Sequence, residues 1–300
     1  MFDPFIRTLD CAGRALALDR PRIAGIVNVT PDSFSDGGNF VDSAKAVAHG
    51  LRLVEEGADL LDIGGESTRP GADAVTADEE IARVVPVIVA LTKQVSVPIA
   101  IDTSKPEVMR AAAAAGAGMI NDVYALRREG ALDATAELKL PVCLMHMLGE
   151  PRTMQQDPHY DDVVSEVRRF LAERIFACEM SGIDKKRIVV DPGFGFGKTL
   201  EHNLALLRAL DQFAALGVPL MVGLSRKAMI GTLTGRAVDQ RASGSAAAAL
   251  IAVQKSAIIV RVHDVAVTRD VLAVWQGVSA GTPVAPRTQK PFGSQRFDED

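Results

Sequence analysis

Short runs rich in Val, Ile and Leu recur along this chain, each followed by turn residues and then by a longer stretch with apolar positions at helical spacing. The runs cover 22–29, 60–64, 98–102, 118–122, 141–146, 188–191, 219–224 and 258–262, eight in all. They are nearly all apolar rather than alternating, so a sheet built from them must be covered on its outer face, as parallel sheets are. Eight βα units in roughly 250 residues is the usual size of a (β/α)₈ TIM barrel, the α/β fold predicted here; a doubly wound open sheet is the alternative. Helix punctuation agrees. Thr76 with Glu79 and Ser104 with Glu107 both read as capping boxes, and Gly116 suits the end of the segment that Ser104 opens. The alanine runs 111–115 and 246–249 read as strong helix formers and need no functional reading. After Trp275 the periodicity stops, and 282–300, with three prolines and several charges, reads as a flexible C-terminal tail behind one domain spanning 1–281.

Composition changes this picture little. At 48% hydrophobic residues, 300 residues suffice for one large core. A net charge of −5 with both signs mixed throughout offers no basic face for nucleic acid, so an anionic ligand must be held locally. Cys11, Cys143 and Cys178 are scattered and odd in number, which fits reduced thiols in a cytoplasmic protein better than a disulfide framework. The N-terminus lacks the apolar core of a signal sequence and no uncharged apolar run is long enough for a membrane span, so a soluble protein is expected.

The chemistry lies where the apolar runs stop. They end in Asn28, Asp62, Asp102, Asn121, Met145 with His146, Asp191, Ser225 with Lys227, and Arg261 with His263. Any one of these is an ordinary turn former or helix cap. In a barrel, however, all eight ends converge on the C-terminal face, where the βα loops build active sites. Asp102, Asn121, Asp191 and Lys227 together could grip a flat heterocycle that offers several donors and acceptors along one edge. Analogues lacking those groups would leave buried partners unpaired, at about 1–3 kcal/mol each. Arg69, Arg261 and His263 suit a phosphate or diphosphate. Glycine-rich loops at 36–39, 64–71 and 193–197 permit close backbone approach or motion. The stretch from Gly193 to Thr199 resembles a phosphate loop but has three residues, not four, between its outer glycines. Phe194 and Phe196 read either as packing residues or, in so glycine-rich a loop, as a wall for an aromatic substrate. His146 is as well suited to bracing the barrel rim as to chemistry. No His, Cys, Asp or Glu pair has zinc-ligand spacing and no serine sits in a nucleophile elbow, so covalent catalysis is not the first reading.

The stretch Gly25-Ile-Val-Asn-Val-Thr-Pro-Asp-Ser-Phe-Ser-Asp-Gly-Gly38 resembles the signature of the dihydropteroate synthase family. The likeness continues, in family order, through 64–71, 101–104, 120–123, 145–147, 191–198, 225–227 and 261–264, and covers roughly residues 22 to 275. The family is a barrel, usually a homodimer, that uses Mg²⁺ to join a dihydropterin diphosphate to 4-aminobenzoate on the way to folate. By that resemblance Asp102, Asn121, Asp191 and Lys227 hold the dihydropterin ring, with Thr68 and Met145 beside it. Asn28 meets the Mg²⁺ on the diphosphate, and Arg69, Arg261 and His263 form the anion pocket. Phe34, Pro70, Phe194, Ser225 and Lys227 match the aminobenzoate side, with Ser225 opening a short helix whose N-terminus favours the benzoate carboxylate. The implied catalytic set is Asp102, Lys227, Arg261 and His263. It serves a dissociative displacement in which the bond to diphosphate breaks before the arylamine attacks. Two departures from the family pattern stand out: Ser256, where glycine is usual, and Ala228, where serine is common and where the aminobenzoate subsite or sulfonamide susceptibility could differ. Two other readings fit a pterin pocket: a methyltransferase barrel serving a corrinoid, which the loops at 29–39 and 64–72 argue against, and a catalytically silent pterin binder, for which no lesion is evident.

Overall fold

A computed structural model describes residues 8–30, 39–67, 74–150 and 153–280. The expected tail at 282–300 lies outside them. The chain enters through an antiparallel hairpin, β1 (Thr8–Cys11) and β2 (Arg14–Ala17), that the apolar pattern did not predict. Its two turn residues, Ala12 and Gly13, both have positive φ (54° and 82°), the type I′ geometry that matches strand twist. Asp10 Oδ1 accepts the Gly13 N–H at 2.7 Å.

The eight apolar runs become β3 (Arg22–Asn28), β4 (Leu60–Gly64), β5 (Ile99–Asp102), β6 (Met119–Asp122), β7 (Val142–Met145), β8 (Ile188–Asp191), β9 (Met221–Val222) and β10 (Ile259–Val262). They pair in parallel in the order β8-β7-β6-β5-β4-β3-β10-β9, and a parallel bridge from Val190 to Leu220 joins the two ends. That closure makes a barrel rather than an open sheet. Each strand feeds a helix: α1 (Asn39–Glu56), α2 (Ala77–Thr92), α3 (Pro106–Ala115), α4 (Ala131–Leu138), α5 (Val163–Met180) and α6 (Leu200–Arg208) in turn. After β9 come a short α7 (Ala228–Thr234) and then α8 (Ala242–Gln254), and α9 (Val265–Ala280) follows β10.

Strand residues alternate between two cores, as period two requires. Ile23, Leu61, Ile101, Ile120, Leu144, Val190 and Val260 face the helices. Ala24, Leu60, Ala100, Met119, Cys143, Val189, Met221 and Ile259 face inward and pack under Leu9, Cys11, Leu16 and Leu18 of the hairpin, which stops the base of the barrel. Arg14 fixes that stopper by donating to the carbonyls of Thr92, Val95 and Val97 at 2.7–2.9 Å.

The capping box at Thr76 and Glu79 is present, and Gly116 ends α3 with φ 111°. The expected box at Ser104 and Glu107 is not what opens α3. Pro106 takes the first helical position, where its missing N–H costs nothing, so the N-cap falls on Lys105, which makes no side-chain cap bond. Ser104 instead bonds the Asp122 carboxylate.

Candidate active site

Two residues further along each strand than the apolar plug, and on the same inward face, stand Ile26, Asp62, Asp102, Asn121, Met145, Asp191, Gly223 and Arg261. The floor of the mouth is therefore polar on five of eight strands. Arg261 organises it: Nη2 donates to Asp102 Oδ2 at 2.6 Å and Nε donates to Asp62 Oδ2, which also accepts Asn121 Nδ2 at 3.1 Å. Asp62 is 2% exposed, and its Oδ1 has no partner. Asp191 Oδ1 accepts the Gly193 N–H at 2.7 Å.

Burial sets the charges. It pushes Asp102 up to about 7, with Arg261 opposing, and Asp191 up to about 6, with the Gly193 N–H opposing. Lys227 is pulled down to about 8 by burial against the attraction of Asp191. Burial works against the Arg261 charge too, but Asp62 and Asp102 outweigh it and hold the guanidinium above its usual range.

Above this floor opens a cleft of about 660 Å³ lined, among others, by Asn28, Glu66, Asp102, Phe196, Lys227 and His263. Ser225 Oγ accepts the His263 N–H at 3.1 Å and lies 3.0 Å from Nδ1 of the same ring. Arg226, at φ 58°, makes a two-pronged bond to Asp264 (3.0 and 2.6 Å), so the loops after β9 and β10 are tied twice. Lys227 Nζ sits 4.0 Å above the Phe196 ring, a cation–π contact. Such a mouth can hold a flat, hydrogen-bonding ring on its floor and an anion beside Lys227 and His263.

The structure thus brings together Asn28, Asp102, Asn121, Met145, Asp191, Ser225, Lys227, Arg261 and His263. Phe34, Thr68, Arg69 and Pro70 lie outside the described residues. Two expectations need correction. Phe194 is 0% exposed and belongs to the core between strands and helices, whereas Phe196 faces the cleft. Glycines 193, 195 and 197 are all left-handed (φ 69°, 77° and 63°), which turns alternate side chains to opposite sides of the loop. Ser225 does not open a helix either. The helix begins at Ala228 with Lys227 as its N-cap, and Ser225 is engaged with His263.

The sequence reading also left three groups unassigned. Asp62 was visible as a polar strand end, but its grip on Arg261 and Asn121 was not. Lys105 donates to Glu66 at 2.7 Å and to Glu80 at 2.6 Å, joining the loop after β4 to the loop after β5. Lys198 and His146 meet at 2.9 Å beneath the glycine loop.

Residues 24–263 match the family of pterin-binding enzymes. Fold and site therefore define a pterin-binding barrel. The chain is 52% identical over 266 residues to the dihydropteroate synthase of Haemophilus influenzae, covering 89% of this chain and 97% of that one. Among solved structures it resembles a Xanthomonas albilineans dihydropteroate synthase with 4-aminobenzoic acid (64% identity, TM-score 0.88, 91% of this chain and 98% of that one). It also resembles the enzyme from the same organism in complex with 7,8-dihydropteroate (61% identity, TM-score 0.84, 91% and 99% covered). The chain belongs to the dihydropteroate synthase family.

Proposed function

We propose that this barrel joins 6-hydroxymethyl-7,8-dihydropterin diphosphate to 4-aminobenzoate, giving 7,8-dihydropteroate and diphosphate. The observation that carries the reading is the floor itself. Asp102 and Asn121 on the adjacent strands β5 and β6, with Asp191 across β7 on β8, offer the acceptors and donors that a pterin edge requires, with Arg261 bridging Asp62 and Asp102 beneath it. In the reaction the carbon–oxygen bond to diphosphate breaks first, leaving a methylene cation delocalised into the ring. Asp102, as a carboxylate a short way from that charge, stabilises it, while Arg261 and His263 supply positive or donor groups for the departing anion and Lys227 holds the ring. The arylamine nitrogen then forms the new bond and loses a proton. No enzymic nucleophile takes part. Positioning the weak arylamine contributes several kcal/mol of the roughly 7–11 available from orientation.

Magnesium fits the mouth as an ion carried by the diphosphate. Asn28, at the end of β3, offers a hard amide oxygen, and Mg²⁺ commonly takes few protein ligands beside phosphate oxygens. When bound it neutralises charge on the leaving group. We read the chain as a cytoplasmic homodimer. Supporting the dimer, α8 and α9, which pack on each other, leave Ile251, Val274 and Val278 exposed. Sedimentation equilibrium should give twice the monomer mass, and a monomer at micromolar concentration would remove the dimer.

The test is diphosphate release from the dihydropterin diphosphate, with and without 4-aminobenzoate and Mg²⁺, while dihydropteroate is followed. Coupled formation of both products is expected. Pterin binding without product would make the chain a silent binder, and no pterin binding would end this reading of the mouth.

A further inference from the structure

Lys198 is a buried cation that the proposed chemistry leaves unused. It is 3% exposed, and its Nζ donates to the carbonyls of Gly193 (2.9 Å) and Phe196 (3.0 Å) and to Nδ1 of His146 (2.9 Å). Burial pulls the Lys198 ammonium well below its usual range, with Asp191 opposing, but the two carbonyls and one imidazole nitrogen around Nζ match the three N–H groups of an ammonium, so all three are spent here. His146 must accept through Nδ1 and carry its proton on Nε2. Burial, reinforced by the Lys198 charge, pushes His146 down to about 2, which keeps the ring neutral at any working pH.

The loop around Lys198 has little stiffness of its own, since three of its five residues are left-handed glycines. What fixes it is a ring of bonds from outside and one centre within. From outside, Gly195 N–H donates to Asn203 Oδ1 at 2.7 Å and Tyr160 donates to the Gly197 carbonyl at 2.8 Å. Within, Lys198 collects two loop carbonyls and the His146 ring. His146 in turn donates its backbone N–H to the Asp191 carbonyl at 2.9 Å. Two charged members of the site rest on this loop: Asp191 through the Gly193 N–H, and Lys227 through the Phe196 ring.

We propose that Lys198, with His146 as its acceptor, is a positioning residue that shapes the loop Gly193–Gly197 so that Asp191 and Lys227 are held for the pterin end of the substrate. It acts through the loop, because none of its N–H groups is left for a ligand. The proposal rests on the proposed function, and the wild-type assay above fails or succeeds independently of the variants below.

The experiment compares full-length wild type with Lys198→Met, His146→Leu and His146→Asn. It measures the dissociation constant of 6-hydroxymethyl-7,8-dihydropterin diphosphate by calorimetry, together with kcat, KM and the melting temperature. Lys198→Met should lower kcat/KM about 10²-fold, the scale of an ångström-sized misplacement. His146→Leu should weaken pterin diphosphate binding about tenfold, the scale of one lost buried hydrogen bond. In His146→Asn the Oδ1 replaces Nδ1 as acceptor, and binding should return to within about twofold of wild type. Should Lys198→Met fail to fold, the His146 pair decides the matter. Lower melting temperatures with unchanged binding and kinetic constants would make Lys198 a brace of the fold and overturn the proposal. So would His146→Asn binding as poorly as His146→Leu.

Discussion

Replacing Lys105 with methionine should reveal how much of the fold depends on one buried cation. Lys105 Nζ lies 2.7 Å from Glu66 and 2.6 Å from Glu80, and the two carboxylates differ in their access to water. Glu66 is 19% exposed at its side chain and can rehydrate, whereas Glu80 is 0% exposed and one of its oxygens already lacks a partner. Methionine keeps most of the volume of the lysine stem, so the cost is that of stranding Glu80. Breaking a buried pair from one side costs about 3–5 kcal/mol, and with Glu66 relieved by water the lower end, about 3 kcal/mol at pH 8, is expected. Burial already holds Glu80 above its ordinary carboxylate range, and loss of Lys105 raises it further. A group raised on folding contributes stability that is complete below its unfolded value, about 4.3, and is lost as pH rises through the folded value. The variant should therefore lose most at alkaline pH and approach wild type near pH 5. Urea unfolding at pH 5, 6.5 and 8 measures this. The double variant Lys105→Met/Glu80→Leu removes the stranded charge and should recover most of the loss. A single variant within about 1 kcal/mol of wild type at pH 8, or a penalty independent of pH, would show that Glu80 finds water and would refute the reasoning.

In the proposed reaction Asp102 acts on the developing cation as a carboxylate, so with burial pushing it up to about 7, kcat/KM should fall about tenfold per unit below that pH; a flat profile down to pH 5.5 would remove it from that role. Asp102→Asn should cut kcat about 10²–10³-fold while the dissociation constant of the pterin diphosphate moves little, and equal losses in both would make it a binding residue alone. Gly193→Ala would set a Cβ 1.8 Å from the His146 carbonyl oxygen at φ +69°, so activity should drop about 10²-fold or more, and wild-type turnover would falsify the loop geometry. Ser256 occupies the left-handed position after the C-cap of α8 at φ 77°, with Ala257 N–H returning to Ala252. There glycine avoids about 1–2 kcal/mol of strain against about 0.4–1 kcal/mol of added unfolded-state entropy, so Ser256→Gly should raise the melting temperature by about 2 °C; a drop would contradict the balance.

What the sequence made legible was whatever depends on period and on strand ends. The eight apolar runs and their polar termini were enough to predict the barrel and to gather Asp102, Asn121, Asp191, Lys227 and Arg261 at one mouth. What it hid depends on backbone angles and on contacts distant along the chain. Phe194 and Phe196 are alike in sequence, and the left-handed glycines that separate their fates carry no side-chain signal. The hairpin at Thr8–Ala17 has two four-residue strands, and the apolar faces of Leu9, Cys11, Leu16 and Leu18 find their partners on strands up to 259. At α3, a proline at the first helical position moved the cap past the Ser104 that a pattern search selects.

The alternation within the strands also explains why stability and chemistry can share one barrel. The inward residues Ala24, Leu60, Ala100, Met119, Cys143, Val189, Met221 and Ile259 bury apolar surface against the hairpin. Two residues later the same strands present Asp62, Asp102, Asn121, Asp191 and Arg261. A strand step of two residues spans about 7 Å, so the dry plug and the polar floor are adjacent layers. The plug therefore stiffens the strands that aim the site, and it excludes water from below. That exclusion is what raises Asp102 and Asp191 and leaves Asp62 Oδ1 without a partner. Charges held this way cost less because Arg261 serves two carboxylates at once and Asn121 a third bond. Substitutions in the lower layer should act through stability and those in the upper layer through function, although the two lie one strand step apart.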